Sequence, residues 1–465
     1  MHPSQLRCLA AKLALATRVD FIARLAPELG LKIFNYLDAR SLCHAAQVAA
    51  HWRSLADDDL IWHRMCKQHI DKKCKTCGWG LPIIRSAQRG NSNPSAPLPS
   101  IAPSSSILSN KRKRADSSSS ESGESSTQSS AEAVVPKRRA FKSIYAERLV
   151  VERNWRKPVY KASFAEGHEA TVLCLQYNDC AGRFVSGGED RTLRVWDADT
   201  NTCIARLTGH ANAVTGVQFD QGVIMSCSLD RTVRIWSMRD FECTQILRGH
   251  RDGVTSLHFV DELLASGSRD TTIRVLNRKT GKLSVLRGHS DWVNKVHIYQ
   301  KTQLFSCSDD HTVRLWNIES GEVLRQFTGH HDRIASFSLS LPHMRTERAN
   351  AEGRGGVPKL VTASADKTVK VWDIDTGACL KTLFGHEGGV VCVASDTLRI
   401  VSGSMDNRIM VFDVESGKVM HSMGVDGMPG TGAINCCVLS DTKIMTGGED
   451  GVVRTYNFYP ETLTF

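Results

Sequence analysis

Histidine, hydroxyl and carboxylate side chains recur in this 465-residue chain at spacings that invite an acid–base reading. Aspartates stand at Asp190, Asp230, Asp270, Asp310, Asp366, Asp406 and Asp450, 40 residues apart except for one interval of 56 and one of 44. Four residues before each comes a hydroxyl: Ser186, Ser226, Ser266, Ser306, Thr362, Ser402 and Thr446. Six residues after each comes a large apolar side chain: Trp196, Trp236, Leu276, Trp316, Trp372, Phe412 and Tyr456. Six copies are preceded by Gly-His, at His168, His210, His250, His289, His330 and His386. The same types build hydrolytic triads, but such regular repetition assigns them to a scaffold. The His, the hydroxyl, the Asp and an indole N–H can form one hydrogen-bonded chain inside a sheet. Such a network is tolerable when buried because every member is paired. Copies one, two, four and five carry all four members. Copies three (Leu276), six (Phe412) and seven (no His) are expected to be held mainly by packing.

A second cluster could hold a metal. Cys66, His69, Cys74 and Cys77 lie within twelve residues, followed by Gly78-Trp79-Gly80. A Cys-x2-Cys turn before glycine can place two thiolates on one zinc, and a Cys and His three apart at a helix end can complete a tetrahedron. This makes a candidate structural zinc site, with a compact turn of reduced thiols as the alternative reading. No glycine-rich phosphate loop follows a strand and no nucleophile elbow is present. The chain therefore reads as a non-catalytic protein.

The elements that position these residues follow from the period. Each copy contains three short β-runs after the Gly-His and a fourth leading to the next Gly-His; in copy two these are 214–219, 223–228, 233–237 and 244–247. One such sheet cannot bury both faces alone, so copies must pack on one another, and radial closure leaves only short edges. Over 159–459 the pattern resembles the WD-repeat family, which implies a seven-bladed β-propeller. The seventh copy stops after its third run, and 159–165 is expected to supply the missing outer strand. An insertion at 341–357 falls between the first and second strands of its blade and is expected to emerge on the rim opposite the aspartates.

Residues 20–66 carry apolar side chains at helical spacing. Pro27 suits a first helical turn and Asp38 a cap. The order Leu25-Ala26-Pro27-Glu28-Leu29, Ile33, Leu37-Asp38, Leu42, Val48, Trp52-Arg53 and Trp62 resembles the F-box. That resemblance implies docking onto the Skp-type adaptor of a cullin–RING ubiquitin ligase, with cullin and RING subunits reached through the adaptor. Leu25, Pro27, Leu29 and Ile33 would lie on or near the adaptor surface, and Trp52 and Trp62 would hold the helices together. A generic helical cap on the propeller is the alternative.

Composition separates these modules. Residues 86–143 are rich in Ser, Pro, Asn and Gly, with few apolar residues to form a core, and read as a disordered linker. Two basic clusters in it, at 111–114 and 137–139, read as nuclear import signals; the acidic serine tract at 121–126 reads chiefly as kinase-accessible chain. The expected layout is a helical segment at 1–19, an F-box at 20–66, a Cys-rich turn segment at 67–85, the linker at 86–143, a helical lead-in at 144–158 and the propeller at 159–465. The fold class is thus mainly β, with a small α-helical domain in front. Fifteen scattered cysteines, no recognisable secretory signal and no apolar run of membrane-spanning length suggest a reduced nuclear and cytoplasmic setting. A net charge of +10 is modest for this size and does not indicate nucleic acid.

Several phrases resemble a narrower group, the fungal sulfur-controller F-box/WD-repeat proteins of the SconB type. They are 69–74 with 77–82, Tyr145-Ala146-Glu147-Arg148-Leu149 with Asn154-Trp155-Arg156, and Leu286-Arg287-Gly288-His289 with Trp292-Val293-Asn294. The resemblance implies the substrate receptor of an SCF ubiquitin ligase that marks a bZIP activator of sulfur assimilation. The family carries a longer N-terminal region with a dimerisation segment, whereas about 19 residues precede the F-box pattern here. The residues next to the aspartates (Glu189, Leu229, Arg269, Asp309, Ala365, Met405, Glu449) and those after the Gly-His loops should share the substrate-facing rim. Related receptors read phosphorylated degrons with arginines there, whose planar forks match phosphate oxygens. Arg269 and Arg333 are the leading candidates, with Trp292 and Asn294 for apolar and amide contacts. A WD-repeat scaffold outside any ligase is the alternative function, and adaptor co-purification distinguishes the two.

Overall fold

The computed structural model of the chain describes residues 20, 22–69, 81, 140–341, 358–424 and 432–460. The segment 1–19, Cys74, Cys77, the serine tract, both basic clusters and most of the 341–357 insertion lie outside the described residues.

Four short helices follow a 3-10 turn at Ile22–Arg24: α1 (Pro27–Phe34), α2 (Ala39–Ala45), α3 (Ala50–Ala56) and α4 (Asp59–His69). Pro27 occupies the first turn of α1, where its missing N–H costs nothing. Asp38 caps α2 by accepting from the Ser41 N–H at 3.1 Å. The helices close over Phe34, Leu42, Leu55, Ile61, Trp62 and Met65. Trp52 meets Phe34 edge-on at 5.6 Å and donates its indole N–H to Asp20 at 2.8 Å. Trp62 donates to the Ala56 carbonyl at 2.8 Å. Both tryptophans thus tie helices together.

Helix α5 (Phe141–Arg156) starts three residues before the expected 144 boundary, within the stretch assigned to the linker. Its first turn is fixed by α4, because the Phe141 N–H donates to Asp59 Oδ1 at 2.7 Å and Tyr145 packs on Trp62 at 5.4 Å. Its last turn is fixed by the propeller. Trp155 stacks on Phe458 at 3.8 Å with planes 13° apart, Asn154 donates to the Phe458 carbonyl at 2.9 Å, and Tyr459 donates to Glu147 at 2.6 Å. Arg399, 1% exposed, bonds Glu152 and lies 4.3 Å over the Trp155 ring. One helix is therefore seated at both ends.

The rest is seven antiparallel four-stranded sheets. Blade two runs Val214–Phe219, Val223–Ser228, Thr232–Ser237 and Cys243–Arg248, close to the runs read from sequence. The seventh sheet takes its outer strand from the start of the domain: Lys161–Ala165 pairs with Val453–Asn457 in the register Lys161↔Asn457 to Ala165↔Val453. In blade five, Ile334 pairs with Ser364 and Ser340 with Lys359. The insertion therefore departs from the end of the sheet away from Asp366.

Candidate functional site

The repeated polar residues form the expected chain in blades one, two, four and five. In blade two the Trp236 indole N–H donates to Ser226 Oγ at 2.8 Å, Ser226 Oγ bonds His210 Nε2 at 2.8 Å, and His210 Nδ1 bonds Asp230 at 2.8 Å. The partners define a neutral ring that donates from Nδ1 to the carboxylate and accepts at Nε2 from the hydroxyl. Burial lowers the His210 pKa, consistent with that neutral form. Burial pushes the aspartates up, but hydrogen bonds outweigh it: Asp270 and Asp366 are held at about 2 by bonds from Thr272, Thr368, backbone N–H groups and His250 or His330. Ser226 is fully buried and its hydroxyl is engaged on both sides, so it offers no nucleophile.

The degenerate blades, expected to be held mainly by packing, retain hydrogen bonds to the aspartate as well. Blades three and six keep the whole His–Ser–Asp chain, with His250–Asp270 and His386–Asp406 each at 2.9 Å, and lose only the indole. Blade seven lacks the histidine and replaces it with Arg454, whose guanidinium grips Asp450 from four residues further along. A carboxylate buried in that turn requires a donor, and an arginine supplies it.

The aspartate turn also fixes the rim. In every blade the residue before the Asp donates its backbone N–H to the carbonyl of the residue just ahead of the innermost strand. The pairs are Glu189/Thr171, Leu229/Ala213, Arg269/Gly253, Asp309/Trp292, Ala365/Arg333, Met405/Gly389 and Glu449/Ala433. Two rings of seven positions thus frame the mouth of the central channel. The cavity there has a volume of about 800 Å³, and Arg269, Trp292, Asn294 and Arg333 all line it. Glu189, Leu229, Asp309, Ala365 and Met405 line it as well, whereas Glu449 does not. Arg269 lies 4.4 Å over the Trp292 ring, with its Nε buried and unpartnered. Asn294 does not present its amide freely: Nδ2 donates to Asp309 at 2.6 Å and to the Ile334 carbonyl at 2.8 Å, so it orders the wall. Sequence reasoning missed Lys295, next to Asn294. Its ammonium reaches Ser336 Oγ at 3.2 Å inside the channel, and burial lowers its pKa. Its place on an innermost strand was the available signal.

At the other end, the F-box residues separate. Leu29 and Ile33 are 48% and 40% exposed on α1, and Pro27 is exposed beside them, whereas Leu25 packs partly against the helical core. Tyr36, Val48 and Leu60, not among the candidates, are also exposed. Apolar side chains left in solvent on so small a module mark a contact surface. In the Cys/His cluster, Cys66 is buried with its thiol 3.7 Å from the Phe141 carbonyl, and burial raises its pKa. His69 Nδ1 donates to the Met65 carbonyl at 2.9 Å. Cys74 and Cys77, the other two members, lie outside the described residues, and among those described no group of three or more ligating side chains converges.

A small helical module with exposed apolar side chains is thus joined through one seated helix to a propeller with a walled mouth. The family model described as F-box-like matches residues 22–68, and the WD domain, G-beta repeat model matches 158–197, 201–237, 241–277, 281–317, 321–373 and 377–413. The chain is 39% identical over 450 residues to the probable E3 ubiquitin ligase complex SCF subunit sconB of Talaromyces stipitatus, covering 86% of this chain and 67% of that protein. It is 36% identical over 493 residues to an F-box protein of Saccharomyces cerevisiae, covering 95% and 71%. It is 36% identical over 477 residues to the probable SCF subunit scon-2 of Neurospora crassa, covering 84% and 73%. This chain belongs to the F-box/WD-repeat family of these SCF subunits. It spans about two thirds of the length of such relatives, from 63% to 73%.

Proposed function

We propose that this chain is a non-catalytic substrate receptor of an SCF ubiquitin ligase. The exposed apolar face of α1 docks a Skp-type adaptor, which brings the cullin and RING subunits. The propeller mouth holds the substrate. Its contribution to the reaction is proximity, since tethering raises the effective concentration of substrate lysines near charged ubiquitin. The double seating of α5 supports this reading, because a rigid connector fixes the distance between the two ends.

The observation that carries the substrate side is the Arg269–Trp292 stack at the mouth. Arg269, Arg333 and Lys295 give one side of the channel a positive face, while Leu229 and Met405 leave apolar ground around it. Such a mouth suits a degron that combines a carboxylate or phosphate with apolar side chains. We assign the substrate class as a bZIP activator of sulfur metabolism on the sequence phrases that resemble the fungal sulfur controllers. The basic clusters at 111–114 and 137–139 support a nuclear as well as cytoplasmic location. A structural zinc on Cys66, His69, Cys74 and Cys77 stays in the proposal on spacing alone, and metal analysis of the purified chain tests it. Affinity purification from cells grown with high and low sulfur tests the whole: adaptor, cullin and a bZIP factor should be recovered together. Recovery of the propeller's partners without adaptor or cullin would favour a scaffold instead.

A further inference from the structure

Blade three has a vacancy where its neighbours have an indole. In blades one, two, four and five the tryptophan tip lies against the glycine of Gly-His. A Cβ placed on Gly167, Gly209, Gly288 or Gly329 would meet the Cη2 of Trp196, Trp236, Trp316 or Trp372 at 3.0, 3.5, 3.0 or 3.3 Å. Gly249 has no such neighbour, because Leu276 stands in the tryptophan position. The shorter side chain leaves a pocket of about 140 Å³, bounded by Gly249, His250, Ser266, Leu276, Leu247 and Leu264. The exposure pattern agrees. Ser266 is 7% exposed where Ser186, Ser226, Ser306, Thr362 and Ser402 are 0%. Leu247 is half-buried, whereas the matching Leu207, Leu286, Phe327 and Leu383 are buried, and Leu276 is half-buried where Trp196, Trp236, Trp316 and Trp372 are buried.

Two kinds of polar group face this apolar hole. Ser266 Oγ bonds His250 at 2.9 Å but lacks the indole N–H that each of four sister hydroxyls accepts. Arg231, Arg248 and Arg274 line the pocket, and among the described residues none makes an ion pair; the Arg274 Nε is buried without a hydrogen-bond partner. An apolar cavity of about 150 Å³ accepts a benzene-sized ring. Guanidinium groups at its edge favour a carboxylate next to that ring. Arg231 sits in the turn just after Asp230, which places the pocket on the same rim as the channel mouth but outside it, with no lining residue in common.

We propose that the gap between blades two and three is a second recognition site, which takes an aromatic side chain, tryptophan best, from an acidic segment of a partner protein. The ring fills the volume left by Leu276, its N–H bonds Ser266 Oγ, and flanking carboxylates meet Arg231, Arg248 and Arg274. This site is independent of what the mouth binds.

The test uses the purified full chain and a labelled, end-blocked peptide, Asp-Asp-Trp-Asp-Asp, read by fluorescence anisotropy. It should bind at least tenfold more tightly than its Trp-to-Ala counterpart and than its Asn-for-Asp counterpart. Leu276→Trp should abolish that preference and raise the melting temperature, since the same residue already fits four other blades. Arg248→Gln, at an exposed position, should weaken binding at least threefold without moving the melting temperature. Arg269→Glu, at the mouth, should leave the tryptophan preference intact. A tryptophan preference that survives Leu276→Trp in a folded variant overturns the proposal. So does saturation by indole-3-acetate with no binding of the peptide, which would give the pocket to a free aromatic acid.

Discussion

Arg399→Met should loosen the connection between the propeller and helix α5. Arg399 is 1% exposed and its guanidinium meets Glu152, Asp396 and the Trp155 ring. Methionine fills similar volume but supplies no charge. Glu152, whose side chain is 6% exposed, then keeps only Arg156 at 2.9 Å, itself 37% exposed. Removing one partner of a buried pair costs about 3–5 kcal/mol, chiefly because the other charge is stranded. The retained Arg156 contact places the expected loss near the lower end, about 3 kcal/mol by that scale. Burial already raises the Asp396 pKa against the pull of Arg399. Without the arginine it rises further, so Asp396 takes a proton more easily in the folded variant. The deficit should therefore shrink as pH falls, and be larger at pH 8 than at pH 5. Urea denaturation at both pH values measures the loss, and hydrogen exchange locates it in α5. Adding Glu152→Gln should restore at least half of the stability, because the stranded charge is gone. A loss below about 1 kcal/mol, or a double variant no better than the single one, would refute the view that this pair is a coupled buried unit.

Other consequences are open to direct measurement. Arg269→Glu should reduce substrate capture at least tenfold in pull-downs while leaving the melting temperature within about 2 °C, since a rim side chain away from the core changes stability by roughly 0.5 kcal/mol or less; undiminished capture by the folded variant would remove Arg269 from the site. Leu29→Asp with Ile33→Asp should abolish adaptor co-purification without unfolding the chain, and retained adaptor would move the docking face elsewhere. Acid should destabilise the propeller in two stages. The folded pKa of His258 is lowered to about 4 by burial and those of His168, His210, His250, His330 and His386 are also lowered, so the unfolded chain, with ordinary histidines near 6.5, binds more protons once pH falls below that value. Asp270 and Asp366, at about 2 when folded, add a second loss as pH drops from about 4 toward 2. Calorimetry should show the melting temperature falling already between pH 7 and pH 5; a flat profile across that interval would contradict neutral buried histidines.

What could be read in the sequence was whatever repeats. The aspartate interval gave the blade number, and the short seventh copy foretold that 159–165 would supply the missing outer strand; 161–165 does so, pairing with 453–457, because an unpaired outer edge had to be covered by the strand nearest in the ring. The rim candidates could be placed at the mouth since their offset from Asp or Gly-His is fixed in all blades. Features that occur once were less legible. Arg454 lies four residues after Asp450, but Arg194, Arg234, Arg274 and Arg314 stand at the same offset in copies that also carry the histidine, so nothing in the sequence marked Arg454 as the donor and the seventh blade looked empty of its network. The Glu152–Arg399 pair joins residues 247 apart, and nothing local in either segment signals the other. Asn294 looked like a free amide because its two acceptors, Asp309 and the Ile334 carbonyl, come from a neighbouring turn and a neighbouring blade.

The mouth explains how one scaffold can present a particular surface. Its fourteen framing positions are set by the same backbone bonds in all seven blades, so their side chains can vary without disturbing the fold. On the ring ahead of the innermost strands, blades two, three, six and seven carry the small residues Ala213, Gly253, Gly389 and Ala433. Only Trp292 and Arg333, in blades four and five, are large there. Arg269 joins them from blade three and stacks on Trp292. Positive charge and an aromatic face are therefore confined to one arc, opposite Glu189 at blade one. Asp309 also lies on that arc, but its carboxylate is held by the Asn294 amide, so under the proposed function a segment bound across this mouth would have its direction set by charge, its acidic end toward blades three to five. The tryptophan-sized gap between blades two and three lies beside that same arc. Reversing the order of acidic and basic residues in a bound degron should thus cost more affinity than scrambling its apolar residues, and equal losses from both would place specificity outside the arc.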